Sequence, residues 1–116
     1  MEKSQRIRAV LFYKEYFLEF FNGQREKLQQ KILWTLTLIE ELPRIPESYL
    51  KHIVGTDGLY EIRIQQGGDH VRLFCFFSKG NLVIVLHGFH KSSQKTPKKE
   101  ISRALLLKKE YEDGKT

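Results

Sequence analysis

The pattern of apolar and polar positions in the N-terminal half of the chain predicts one strand followed by two helices. Apolar side chains cluster within Arg6–Phe12, which favours a short strand. The segment 15–21 predicts a short helix. Within 24–42, leucine and isoleucine recur every three or four residues, as on the buried face of a longer helix. Proline has no backbone N–H, so this helix should end near Pro43.

The C-terminal half changes to a period of two. Leu59–Gln65 alternates apolar side chains with Glu61, Arg63 and Gln65, which predicts a strand with one buried and one polar face. Residues 71–77 are rich in β-branched and aromatic residues, and 82–89 are almost continuously apolar, as in a strand that is buried on both faces. We therefore expect the last strand to be central in the sheet and not at an exposed edge.

The end of the chain predicts a third helix. Thr96 suits the cap position and Pro97 the first helical position, so a helix should run over 98–111. Its expected packing face contains Ile101, Ala104, Leu105 and Tyr111.

These elements assemble into a small α+β domain. The predicted order is an N-terminal strand, two helices, a three-stranded antiparallel meander and a C-terminal helix. Residues 47–54, between the second helix and the meander, are expected to add one helical turn. With 116 residues and 41% apolar content, the chain suits one packed core, so we expect a single domain over 1–116.

Composition argues against several classes of protein. The chain has one cysteine, Cys75, so it cannot form an internal disulfide or a zinc site of several cysteines. The first residues contain no apolar signal core, and no run approaches the roughly 20 apolar residues that span a bilayer. We therefore expect a soluble, cytoplasmic protein.

The positive charge is concentrated in one stretch. Between residues 70 and 99 there are six basic residues and no Asp or Glu, while the other 14 basic residues are matched by 14 acids. The net charge of +6 therefore lies entirely in this stretch. A run of like charge is often only a solvated surface. Clustered cations also attract phosphate groups, so a polyanion site is the alternative interpretation.

Three ordered blocks of the sequence carry a family resemblance. Gly58–Arg63 reads GLYEIR, similar to the pattern G-L-(Y/W)-E-(L/I)-R, and Val71–Phe77 is similar to Y-R-(I/L)-(F/L)-Y-F. Leu86–Pro97 reads LHGFHKSSQKTP, close to L-H-G-F-x-K-K-T-Q-K-T-P. These blocks resemble the RelE/ParE toxin superfamily, and within it the phage-derived HigB-like branch of type II toxin–antitoxin systems. The chain departs from the pattern at Val71 and at Ser92, which replaces a second lysine.

The resemblance implies a RelE-like fold and a metal-independent endoribonuclease that acts on mRNA on the ribosome. The RNA 2′-hydroxyl would attack the adjacent phosphate, a reaction that needs no cofactor. The expected partners are mRNA, the ribosome and a HigA-like helix-turn-helix antitoxin, through which the protein would meet DNA only indirectly.

Arginine suits the phosphate because its planar fork binds two oxygens and keeps its charge. The resemblance marks Arg72 as the catalytic phosphate clamp, since it matches the family's functional strand arginine, and Arg63 is a candidate RNA contact. Histidine is the side chain best suited to exchange a proton near neutral pH, so His90, at the start of the basic loop, is a candidate proton donor or acceptor. Four lysines are expected to act with them, Lys91 and Lys95 in catalysis and Lys98 and Lys99 in RNA binding.

Other roles are open for several of these residues. Arg72 and Arg63 could be solvated or structural strand residues, and His90 could be simply solvated. His87 lies deeper in an apolar strand, where a packed histidine is the commoner role. Two other functions also remain open for the whole chain. One is an inhibitor of DNA gyrase, as on the ParE side of the superfamily, and the other is a non-catalytic nucleic-acid-binding remnant.

Overall fold

A computed structural model describes residues 6–114. They form five strands and three helices: β1 (Ala9–Phe12), α1 (Tyr16–Asn22), α2 (Glu26–Glu41), β2 (Leu50–His52), β3 (Tyr60–Gln66), β4 (Asp69–Phe77), β5 (Leu82–His90) and α3 (Lys98–Asp113). The strands make one sheet in the order β1-β5-β4-β3-β2. β1 runs parallel to β5, and the other pairs are antiparallel. The predicted α+β class, with its meander and C-terminal helix, is confirmed.

One detail of the predicted sheet is wrong. The segment 47–54 was expected to be helical, but it contains β2, whose Leu50 pairs with Ile62 of β3. This short edge strand depends on a partner about ten residues further along the chain, and its own three residues carry no alternation. The prediction for the last strand is confirmed, because β5 pairs with β1 on one side and with β4 on the other and so does not lie at an edge.

The helices cover both faces of the sheet. α1 and α2 pack on one face through the core residues Phe17, Leu28, Ile32, Leu36 and Ile39, which contact Ile62, Ile64, Val71 and Leu73. α3 packs on the other through Ala104 and Leu107, which contact Leu59, Phe74, Phe76, Ile84, Leu86 and Phe89. No helix among residues 6–114 has the length and apolar character needed to cross a membrane.

The packing face of α3 is turned slightly from the predicted one. Ile101 and Tyr111 do pack against the core, as expected. Leu105, however, is exposed, and the buried leucine is Leu107. Leu107 lies three residues after buried Ala104, so the pair forms a narrow stripe along the helix.

A β-bulge changes which side chains face α3. The pairing of β4 with β5 shifts between Leu73 and Cys75, where β5 holds one residue more than β4. In consequence the consecutive residues Leu86 and His87 both lie on the α3 side. An extra residue in one strand reverses the alternation of every residue after it. Phe89 therefore faces α3, whereas Gly88 faces α1.

Candidate nucleic-acid interface

Two arginines lie side by side on the α3 face of the sheet. Arg63 of β3 is directly opposite Arg72 of β4 in the antiparallel register. The Nε atoms of Arg63 and Arg72 lie 3.6 and 3.7 Å from Oε1 of Glu61. One carboxylate thus neutralises part of the charge of both guanidinium groups and holds them on the same face.

Glu61 also holds the start of α3 against the sheet. The sequence predicted Thr96 as the cap of α3, and this prediction is wrong. The Thr96 hydroxyl instead donates to Oε2 of Glu61 at 2.9 Å. The N-cap residue is Pro97, and it makes no side-chain hydrogen bond. The buried carboxylate therefore connects the basic segment before α3 with the arginine pair.

The environment of Arg72 is unusual for a charged side chain. Arg72 is buried, and its Nη1 donates to the carbonyl of Val71 at 3.2 Å. Its Nε atom and that of Arg63 are buried without a hydrogen-bond partner. Burial lowers the pKa of Arg72, the charge of Glu61 opposes this effect, and the charge of Arg63 adds to it. Two cations held together in this way form a strong attraction for an anion.

An open groove of about 630 Å³ lies beside the arginine pair. The groove lies beside the part of β3 that follows its pairing with β2. Its walls come from the sheet, from α2 and from the connector before β2. The lining consists of Lys31, Ser48, Tyr49, Arg63, Ile64, Gln65, Gly67, His70 and Arg72. The groove is thus lined by three cations, a histidine and a tyrosine, with no Asp or Glu.

His70 is the histidine that the structure places with the arginines. It lies two residues before Arg72 in β4 and pairs with Gln65, so it shares the face that carries both arginines. It is exposed and lines the same groove. His70 is not among the site residues predicted from the sequence, although its spacing of two residues from Arg72 along a strand indicates the same face.

His90 lies on the opposite face of the sheet. It is paired with Val71, which belongs to the α1 and α2 core, and its ring is 5.6 Å from that of Phe20. Its Nε2 donates to Oε1 of Gln24 at 2.7 Å. The structure therefore does not bring His90 together with Arg72, because the bulge in β5 reverses the face on which residue 90 lies.

The predicted lysines fall into two groups. The ammonium of Lys91 donates to the carbonyl oxygens of Ser93 and Gln94, so it stabilises the loop that it begins. Lys95, Lys98 and Lys99 are exposed, and they lie on either side of Thr96 where the loop enters α3. Because Thr96 is attached to Glu61, this exposed cationic segment begins beside the arginine pair.

His87 is a packed core residue, which is the role expected from its position in an apolar strand. It is buried, its Nε2 donates to Oε1 of Glu100 at 3.1 Å, and its Nδ1 has no hydrogen-bond partner. Burial lowers the pKa of His87, and nearby Arg103 adds to this, while Glu100 opposes it. His87 therefore fastens the first turn of α3 to β5.

The described residues offer no metal centre. Among residues 6–114 there is no group of three or more His, Cys, Asp or Glu side chains that could hold an ion.

Comparisons with known proteins agree with the fold. No curated protein matches the sequence. A chain of the archaeal RelE–RelB complex from Pyrococcus horikoshii is similar in structure, with a TM-score of 0.55 and 15% sequence identity, over 72% of this chain and 94% of that one. The family model described as "Phage derived protein Gp49-like (DUF891)" matches residues 19–109. The resemblance inferred from the three sequence blocks is confirmed: the chain has a RelE-like fold and belongs to the phage-derived Gp49-like family.

Proposed function

We propose that this protein is the toxin of a type II toxin–antitoxin system and that it cleaves mRNA on the α3 face of its sheet. The observation that carries the proposal is the pair Arg63 and Arg72, held by buried Glu61 beside an open groove. A phosphodiester is the ligand that two fixed guanidinium groups fit best. The RelE-like fold and the phage-derived family support the same assignment.

In the proposed reaction Arg72 and Arg63 bind the oxygens of the scissile phosphate. The RNA 2′-hydroxyl gives its proton to the imidazole of His70, and its oxygen attacks the phosphorus. The bond from phosphorus to the 5′-oxygen breaks, and that oxygen takes a proton from solvent. The products are a 2′,3′-cyclic phosphate and a 5′-hydroxyl end. The arginines stabilise the negative charge that grows on the phosphate during the attack.

The basic segment is assigned to the remainder of the RNA. Lys95, Lys98 and Lys99 contact phosphates next to the scissile one, and the exposed amides at the start of α3 add to their attraction. Lys91 acts by shaping the loop. We assign the protein an antitoxin partner, a HigA-like helix-turn-helix protein, and the ribosome as the place where it meets mRNA.

The test is cleavage of mRNA by the purified protein, with and without ribosomes, followed by mapping of the RNA ends. Arg72→Gln and His70→Ala should each lower the cleavage rate by roughly 100-fold or more, as the loss of a group acting in the transition state commonly does. Expression of either variant should also relieve growth arrest. The ends should carry the cyclic phosphate and the 5′-hydroxyl.

Lys79→Ala is the matched control. It removes a cation from the same basic stretch, but at the turn between β4 and β5, beyond the opposite end of β4 from Arg72. It should cleave like the parent. Intact RNA together with DNA damage would instead indicate a gyrase inhibitor. If Arg72→Gln remains folded and as toxic as the parent, Arg72 does not have the role proposed for it.

A further inference from the structure

A second groove continues the first along α2. It has a volume of about 440 Å³ and is lined by Lys27, Gln30, Lys31, Trp34 and Gln66. Lys31 belongs to the lining of both grooves, so the two concavities meet at this side chain. Together they form a track that leads from Arg72 across the edge of the sheet to the exposed side of α2. From the sequence, α2 was predicted only as a core helix, without a functional role.

The charge of the track is of one sign. Four cations line it, Lys27, Lys31, Arg63 and Arg72, and neither lining includes Asp or Glu. Asp69, the acid next to His70 in the chain, is paired with Arg25 at 2.7 Å. A surface that carries only positive charge attracts a chain of phosphates.

Two aromatic rings, Trp34 of the second groove and Tyr49 of the first, lie along the track. Trp34 is 48% exposed although it is the largest side chain on its helix, and its ring centroid lies 5.9 Å from that of Tyr49. The ammonium of Lys31 lies 4.4 Å from the centroid of the indole ring. An exposed aromatic ring beside a cation is the combination by which proteins bind single-stranded nucleic acid, because the ring stacks on a base while the cation meets a phosphate.

We propose that this track binds single-stranded RNA next to the scissile phosphate, with a base stacked on Trp34 and a phosphate paired with Lys31. The inference rests on the proposed function for its substrate, since it names where the same RNA continues after leaving Arg63 and Arg72. Stacking on an aromatic ring accepts any base. The track therefore supplies affinity and positions the strand, and it does not select a codon.

Trp34 is the only tryptophan of the chain, so its fluorescence reports directly on the track. The probe is a 2′-O-methyl RNA of about ten nucleotides, within the usual site size for such surfaces, which lacks the attacking hydroxyl and cannot be cut. Binding should quench the emission of the full-length protein. An abasic strand of equal length keeps the phosphates but has no bases, and it should leave the emission nearly unchanged.

Variants separate stacking from charge when the affinity of a dye-labelled 2′-O-methyl RNA is measured by polarisation. Trp34→Ala should raise the dissociation constant by about tenfold, the effect typical of losing one stacked base, and Trp34→Phe should restore most of the affinity. Lys31→Ala should lower the slope of log K against log salt by about 0.7, the value for one phosphate contact on a single strand. Leu33→Ala is the matched control, because Leu33 is 51% exposed on the same helix and lines neither groove.

Several results would overturn the inference. Equal quenching by the abasic strand, or unchanged affinity of Trp34→Ala, would show that no base stacks on Trp34. The absence of any quenching by the 2′-O-methyl RNA would likewise refute the proposed binding. Cleavage of RNA without quenching would refute the track and leave the nuclease proposal standing. Quenching without cleavage of natural RNA would support the track and refute the nuclease.

Discussion

Replacing Glu61 by Gln tests whether one buried carboxylate holds the arginine pair. The substitution keeps the size of the side chain, and the amide oxygen can still accept from Thr96, so the perturbation is the loss of one negative charge. The side chains of Glu61 and Arg72 are 5% and 10% exposed, whereas that of Arg63 is 32% exposed. The variant leaves Arg72 as a buried cation with Arg63 beside it and no anion.

The expected cost follows from these exposures. Removing one partner of a buried ion pair commonly destabilises a protein by about 3–5 kcal/mol. The pair with Arg63 is partly exposed and contributes roughly 0–1 kcal/mol, because solvent screens it. The Nε atoms of the two arginines lie 3.6 and 3.7 Å from the Glu61 carboxylate without a hydrogen bond. The total loss of stability should therefore lie at the lower end of the range for a buried ion pair. We expect Glu61→Gln to lower the free energy of unfolding by about 3 kcal/mol and Tm by on the order of 10 °C.

The assay is urea unfolding followed by circular dichroism, in a buffer without phosphate. A second substitution, Arg72→Met, should recover part of the loss in the Glu61→Gln background, because it removes the unpaired charge that causes the loss. Added inorganic phosphate should raise Tm more for Glu61→Gln than for the parent, since the anion takes the place of the carboxylate between the arginines. A Glu61→Gln protein that unfolds within about 0.5 kcal/mol of the parent would refute this account of the site.

Three further outcomes follow from buried residues. Because the pKa of His87 is lowered in the folded protein, the unfolded chain binds a proton more readily at acidic pH. The free energy of unfolding should therefore be highest above about pH 6.5 and fall as the pH decreases below that value. His87→Gln should flatten this dependence in urea unfolding at about pH 7.5 and about pH 5.5. Burial raises the pKa of Cys75 far above its usual range, so its thiol should react with a disulfide reagent only as fast as the protein unfolds globally. A Cβ atom on Gly88 would lie 2.6 Å from the buried side chain of Leu73, so Gly88→Ala should cost roughly 1–3 kcal/mol in thermal unfolding, while Gly68→Ala, where the new atom meets nothing within 4 Å, should leave Tm almost unchanged.

Local patterns were sufficient for most of the fold. β3 and β5 were visible because alternation and continuous apolar runs depend only on neighbours along the chain. β2 was missed because its three residues form a strand only through pairing with β3. The parallel contact of β1 with β5 has the same origin, since it joins residues some 70 positions apart and leaves no local signal.

The candidate site was predicted in part. Arg63 and Arg72 were selected from the resemblance, and the structure adds that they are cross-strand neighbours. Glu61 was expected on the polar face of its strand, and it does lie there. It is buried nonetheless, because α3 begins directly above it and Thr96 donates to its carboxylate. Burial of this kind depends on how a helix closes over a sheet, which a periodic pattern in one strand does not contain.

The histidines show how much of the site depends on a single residue of register. With strict alternation along β5, His90 would face the same side as Ile84 and Leu86, which is the side of Arg72. The extra residue at positions 86 and 87 moves His90 to the α1 side. β4 carries His70 to the arginine face, because only regular pleats separate it from Arg72. A bulge depends on pairing between strands, so the sequence of β5 alone does not reveal it. The sequence therefore favoured His90, which is nearer the basic loop. The geometry of the sheet favours His70, which lies two residues before Arg72.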